Sequence, residues 1–163
     1  MLWFREMESF KDFEYVRNLY NASLAELATK PLEPSSLEQQ ITWYLEMKPE
    51  IMLAEDHDEN IVGFFALTPR MFDFYTPIFV IHPDHRGKGY AREFIQEYIS
   101  YAATPLAGSQ LKSNEVICRL NAEAGWQIMA ERDGVQYLYH PGNPPAARLN
   151  AQHYALQEAE REL

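Results

Sequence analysis

Cysteine is nearly absent: Cys118 is the only one in 163 residues. No intramolecular disulfide can form, which agrees with a reducing compartment. The histidines are scattered and none pairs with cysteine at metal-ligand spacing, so no structural zinc site, and no metal, is expected. Long apolar runs are missing too. None approaches the roughly 20 residues needed to cross a bilayer, so no membrane partner is expected. The opening MLWFREMESF carries acids where a signal peptide carries a basic stretch and then an apolar core; a cytoplasmic protein is the expectation. Basic residues are also few. Lysine and arginine total 14 against 24 aspartates and glutamates, a formal net charge of -10. That field repels nucleic acid and draws in a cationic acceptor, although the same balance also serves plain solubility.

What remains is enough for one packed domain. The chain is long enough for a single core and too short for two, and its hydrophobic fraction of 47% with 13% aromatics can fill one. Residues 1–145 are read as the domain and 146–163 as a C-terminal helical extension. LWFRE (2–6) is a short opening strand. Ser9 with Asp12 resembles a capping box for a helix carrying Phe13, Val16, Leu19, Tyr20, Leu24 and Leu27. KPLEPSS (30–36) breaks it, and Ser36 with Gln39 caps a second helix that ends near Pro49. IMLAE (51–55) and IVGFFAL (61–67) form a hairpin over a solvated acidic tip, DHDEN.

A third strand, MFDFYTPIFVI (71–81), is interrupted by Pro77, which marks an edge, a bulge or a place where strands separate. Phe94, Ile95, Tyr98 and Ile99 predict a helix from Gly89 to Ala102, and residues 104–113 hold a weak strand. A further helix from Glu115 to Ala124 stops at Gly125. A hairpin then turns at Asp133-Gly134, and a polar helix closes the chain. The fold class is α/β, without the strict alternation of a doubly wound sheet.

Between the third strand and its helix stands IHPDHRGKGYAREF (81–94), which gathers scarce positive charge at one turn. Gly87 and Gly89 remove side chains where the backbone bends tightly or is closely approached. The first-turn N–H groups of the helix have no internal partner and carry the positive end of its dipole. Arg86, Lys88 and Arg92 add charge there, so the turn reads as a diphosphate cradle. It is neither a P-loop nor the dinucleotide G-x-G-x-x-G pattern. The alternative is a glycine-rich turn with solvated basic residues.

VIHPDHRGKGYAREF resembles the acyl-CoA-binding motif of the GNAT superfamily of acyl-CoA-dependent N-acyltransferases, [QR]-x-x-G-x-[GA]. Arg86, Gly89 and Ala91 match it, after Ile81-His82-Pro83. Asn114, eleven residues before Gly125-Trp126, fits a second family feature. The resemblance implies a mixed, mainly antiparallel central sheet flanked by helices, with a splayed strand pair at the acyl-CoA site. It implies acetyl-CoA or another acyl-CoA as cosubstrate, with the diphosphate on Arg86, Gly87, Lys88, Gly89, Tyr90, Ala91 and Arg92. The pantetheine arm would lie along Phe79, Val80 and Ile81, with Asn114 across from it.

The activity so implied is N-acyl transfer, most simply acetyl, by direct attack of an amine in a ternary complex. Where family members often carry a glutamate base stands Tyr75, with Asp73 the nearest carboxylate. Where a tyrosine acid is expected stands Asn121, whose amide cannot deliver a proton. These three are the candidate catalytic positions. Cys118 near the acyl group is better read as a lone buried cysteine, His82 and His85 at the turn as phosphate-proximal or solvent-facing residues, while Tyr137 and Tyr139 suit an acceptor pocket or strand packing equally well. The C-terminal helix is open to docking on its own sheet or on a second subunit in a homodimer. The competing reading keeps the fold as a CoA-binding or catalytically weak interaction module. A nucleic-acid modifier would have to overcome the opposing net charge.

Overall fold

The computed structural model describes residues 1–27, 33–70, 74–102 and 104–142. Its elements run β1 (Trp3–Glu6), α1 (Phe10–Ala22), α2 (Leu24–Leu27), α3 (Leu37–Met47), β2 (Glu50–Glu55), β3 (Ile61–Arg70) and β4 (Phe74–Ile81). A 3-10 turn at Pro83–His85 leads to α4 (Tyr90–Tyr101), β5 (Leu106–Leu111), α5 (Glu115–Glu123), β6 (Gln127–Arg132) and β7 (Val135–His140). The helix expected over 146–163 lies outside the described residues. So do Asp73 and the start expected for the third strand. Among the described residues no helix is long and apolar enough to cross a membrane.

The seven strands form one sheet in the order β1-β2-β3-β4-β5-β7-β6. Every neighbouring pair is antiparallel except β4 and β5, which are parallel and share a single register pair, Tyr75 with Leu106. The core has two layers, one on each face. Phe65, Leu67, Phe94, Ile95, Leu106 and Leu138 pack on the α4 side, and Val16, Leu19, Leu53, Phe64, Ala66 and Val80 on the α1 side. Phe64 and Phe65 are adjacent in sequence yet both fully buried. Successive strand residues point to opposite faces, so β3 is covered on both sides, which is why it reads as an unbroken apolar run.

Several local expectations change. The helix expected to continue through Leu27 breaks at Ser23, whose N–H turns back to the Tyr20 carbonyl and starts the separate turn α2. The Ser9–Asp12 box is half formed: Ser9 Oγ accepts the Asp12 N–H, but the Asp12 carboxylate is taken by Arg5 at 2.7 and 3.0 Å. The Ser36–Gln39 box is complete. The acidic hairpin tip is not simply solvated, because Asp56 is buried and accepts the N–H groups of Asp58 and Asn60. The strand within 104–113 is regular, with six register pairs to β7. Asp133 and Gly134 both have positive φ, as a tight hairpin turn with right-handed twist requires.

Two stability predictions follow from close contacts. A Cβ on Gly63 would lie 2.1 Å from the Val80 carbonyl oxygen, whereas one on Gly108 would meet the Trp126 ring at 3.6 Å, an ordinary contact. Gly63→Ala should therefore cost about 1–3 kcal/mol and Gly108→Ala less than about 0.5, measured by chemical denaturation. The second concerns Asp12, buried against Arg5, whose guanidinium holds its carboxyl below the usual range. A depressed folded-state value means stabilisation that is present above the unfolded-chain pKa and lost as pH falls through the folded one. Asp12→Asn should lower stability by about 1–3 kcal/mol at neutral pH, and the gap to wild type should narrow as pH falls below the ordinary aspartate range.

Candidate functional site

The sheet opens where β4 and β5 part. The Tyr75 N–H donates to the Pro105 carbonyl at 3.0 Å, and past that bond the two strands share no ladder. Along an antiparallel strand, residues alternate in which neighbour their N–H and C=O address. Tyr75, Pro77, Phe79 and Ile81 therefore address the β5 side. Pro77 has no N–H to offer. The Ile81 carbonyl is taken by Arg86 Nε at 3.0 Å. Phe79 is left with both backbone groups facing the gap, and Ile81 with its N–H.

The gap is a cleft of about 570 Å³. It runs from the point where the strands separate, at Pro77, Gly108 and Trp126, to the glycine turn at Arg86, Gly87 and Gly89. Gly87 and Gly89 have φ of 77 and 80°, a left-handed backbone that excludes most side chains, and a Cβ at either would meet only open space. Gly89 caps α4 without any side-chain hydrogen bond, so the first-turn N–H groups stay available at the mouth of the cleft. An anion suits that position.

The walls come from elements far apart in sequence. On one side α2 supplies Glu26, whose carboxylate holds Arg86 through two contacts of 2.8 Å. On the other, α4 supplies Tyr98 and α5 supplies Asn121. Tyr98 is almost fully buried, and burial pushes its phenol well above its ordinary pKa, with the Trp126 indole opposing. The phenol therefore stays protonated throughout the physiological range. Asn114 caps α5 by accepting the Ile117 N–H, with its side chain bordering the cleft. Asn121 is buried, and its Nδ2 donates to Gln110 Oε1 at 2.8 Å.

The structure brings most of the cofactor-site candidates together. Phe79, Val80, Ile81, Arg86, Gly87, Gly89, Tyr90, Ala91, Arg92 and Asn114 all border the cleft. Lys88 sits in the same turn with its side chain in solvent, and Arg92 pairs with Glu123 at 3.0 Å. The catalytic candidates are not gathered in one place. Asn121 borders the cleft, while Tyr75 stands at the strand junction on the α4 face. There burial, and next the charge of Glu50, push its phenol up. His85 borders the cleft, whereas His82 accepts the Asp84 N–H. Cys118 is on α5 with its thiol against the Leu111 carbonyl and does not border the cleft, and Tyr137 and Tyr139 remain exposed on β7 away from it.

Glu26, Tyr98, Gln110 and Trp126 escaped the sequence reading. Tyr98 carried a signal only as an apolar helix position, and Trp126 only as part of the family spacing from Asn114, neither as a cleft residue. Glu26 and Gln110 had none, since their roles depend on partners 60 and 26 positions away. Among the described residues no cluster of histidine, cysteine, aspartate and glutamate is arranged to hold a metal.

The architecture is that of known acetyltransferase structures. Spermidine N-acetyltransferase from Vibrio cholerae, solved with CoA and spermine, superposes with a TM-score of 0.70 at 20% identity, over 85% of this chain and 94% of that one. YncA from Salmonella typhimurium, solved with its cofactor acetyl-CoA, gives 0.71 at 16% identity, over 86% and 94%. A dodecameric structure of the Vibrio cholerae enzyme gives 0.67 at 20% identity, over 86% and 93%. Among curated proteins none matches the sequence. The family model described as Acetyltransferase (GNAT) family matches residues 13–126, more than half of the sequence, and the chain belongs to that family.

Proposed function

We propose that the protein transfers an acyl group, most simply acetyl, from acyl-CoA to an amine that attacks directly in a ternary complex. The observation that carries this is the split between β4 and β5, whose unpaired backbone edge leads straight to the glycine turn. An acyl-CoA fits it. The turn residues Arg86 to Arg92 would hold the diphosphate with backbone N–H groups and charge. Phe79 would pair with the arm through its N–H and C=O, as a missing strand would. Asn114 would border the arm opposite β4. The group so held supplies an activated thioester, and the chain's task is to place it and exclude water.

Proton management distinguishes this chain from the usual family pattern. Among the described cleft residues the only carboxylate is Glu26, at the diphosphate end and already paired with Arg86. Asn121 has no ionisable proton to give a departing thiolate. A thiol pKa near 8.5 makes that thiolate a tolerable leaving group without an acid, at about a 10²–10⁴-fold cost in rate. A lysine-like amine is neutral about once in 2,500 molecules at pH 7, while an α-amine near 7.7–8.0 is far closer to ready. The acceptor in this reading is therefore a weakly basic amine, or one deprotonated by Asp73 or a water chain. The acidic balance of the chain favours a cationic acceptor in the cytoplasm. The Vibrio cholerae structures, one with spermine and one dodecameric, support an amine acceptor and an assembly at least as large as a homodimer.

The engagement of Asn121 with Gln110 favours a second reading, a CoA-binding module with weak or no transfer. Calorimetric titration with acetyl-CoA comes first. Saturable binding is expected, lost in Arg86→Ala and in Gly89→Glu, and about two- to fivefold tighter in Glu26→Gln, which frees Arg86. A folded wild type that does not bind sinks both readings. Binding without turnover across amines of graded pKa leaves the module.

A further inference from the structure

Behind the cleft, four polar side chains link end to end. Asn121 Nδ2 donates to Gln110 Oε1 at 2.8 Å, Gln110 Nε2 to Gln136 Oε1 at 2.8 Å, and Gln136 Nε2 to Glu131 Oε2 at 3.3 Å. Glu131 Oε1 in turn meets Lys112 Nζ at 3.1 Å. The three amides are each more than nine-tenths buried, and Glu131 is at the protein surface on the edge strand β6. Amides can point either way, but a carboxylate can only accept. Glu131 is a surface carboxylate, ionised at neutral pH with or without Lys112, and it therefore forces Gln136 to present its NH₂ outward. Gln136 must then accept from Gln110, and Gln110 from Asn121. The direction of the whole chain is set at its far end.

One consequence reaches the cleft. Asn121 and Gln110 border both the cleft and a smaller cavity of about 280 Å³ behind α5, while Gln136 borders only the smaller one. The Asn121 NH₂ group is drawn toward Gln136 by way of Gln110. Its Oδ1 is on the other side of the amide, accepts from no described residue, and is not sealed in the core.

We propose that this chain turns Asn121 so that its carbonyl oxygen faces the cleft, as the acceptor for an amide N–H of the pantetheine arm. Asn121 is then a binding residue, and Glu131 a positioning residue that acts from the sheet edge. The inference rests on the reading that the cleft takes acyl-CoA, and it gives the buried asparagine a recognition role where proton delivery is chemically closed to it.

The test uses acetyl-CoA and ADP, which carries a diphosphate without the arm. Glu131→Gln keeps shape but can donate or accept, so the direction of the chain is no longer set. It should weaken acetyl-CoA about three- to tenfold, the worth of one amide hydrogen bond, and leave ADP unchanged. Lys112→Ala, which keeps the carboxylate, should change neither affinity. In an Asn121→Ala background, Glu131→Gln should have no further effect on acetyl-CoA, the coupling expected of one chain. Wild-type acetyl-CoA affinity in folded Glu131→Gln overturns the proposal, as does equal weakening of acetyl-CoA and ADP. The ligand-free protein gives an independent readout: the Asn121 side-chain NH₂ resonances should split or broaden in Glu131→Gln, and unchanged signals overturn the chain itself. Failure of wild type to bind acetyl-CoA would count against the function, while these resonances would still report on the chain.

Discussion

The junction at Tyr75, whose N–H donates to the Pro105 carbonyl beside the single register pair with Leu106, joins two antiparallel ribbons, β1 to β4 on one side and β5, β7 and β6 on the other. Had β4 and β5 paired along their length, the sheet would be closed and no cleft would exist. Parting the strands leaves backbone groups unpaired, which is costly unless water or a ligand satisfies them. The structure limits that cost. Pro77 removes one donor at the point of separation, and Arg86 takes up the Ile81 carbonyl at the far end. Phe79 is left between them with both groups facing the gap.

The helices hold the two ribbons at this angle. Phe94 and Ile95 of α4 are fully buried against the β1–β4 face, and Tyr98 on the same helix meets Trp126 at the start of β6. The α4 helix thus bridges the split, and its N-terminus is carried to the open end where the glycine turn lies. One element therefore both braces the cleft and aims its unpaired N–H groups into the mouth. Charge follows the same division: an acidic protein keeps Arg86, Lys88 and Arg92 at that mouth, and Glu26 pairs with Arg86 there. The deep end is built from buried amides and aromatic rings.

Much of this was legible in the sequence wherever the signal is local. Strand–turn–helix at 81–94 is visible because glycine spacing and helix onset are properties of a dozen consecutive residues. The Ser36–Gln39 box and the Asp133-Gly134 turn are equally short-range, and both formed. The Ser9–Asp12 box was legible only in part. Its outcome depended on Arg5, which arrives from the neighbouring strand and competes for the carboxylate. The hairpin tip is solvated at 57–60 as expected, and only Asp56 departs, for a related reason. A carboxylate at a turn looks solvated until the N–H groups around it are counted.

Sequence by itself determined the class of the fold, the glycine turn and the family, because periodicity, glycine placement and charge are written residue by residue. Tertiary structure alone decided which polar groups face one another. The Glu26–Arg86 pair, the Tyr98–Trp126 contact, and the amide chain from Asn121 to Glu131 join residues up to 60 positions apart. An asparagine or a glutamine has no pattern that announces its partner. Only when the sheet is assembled does each amide meet the group that it hydrogen-bonds.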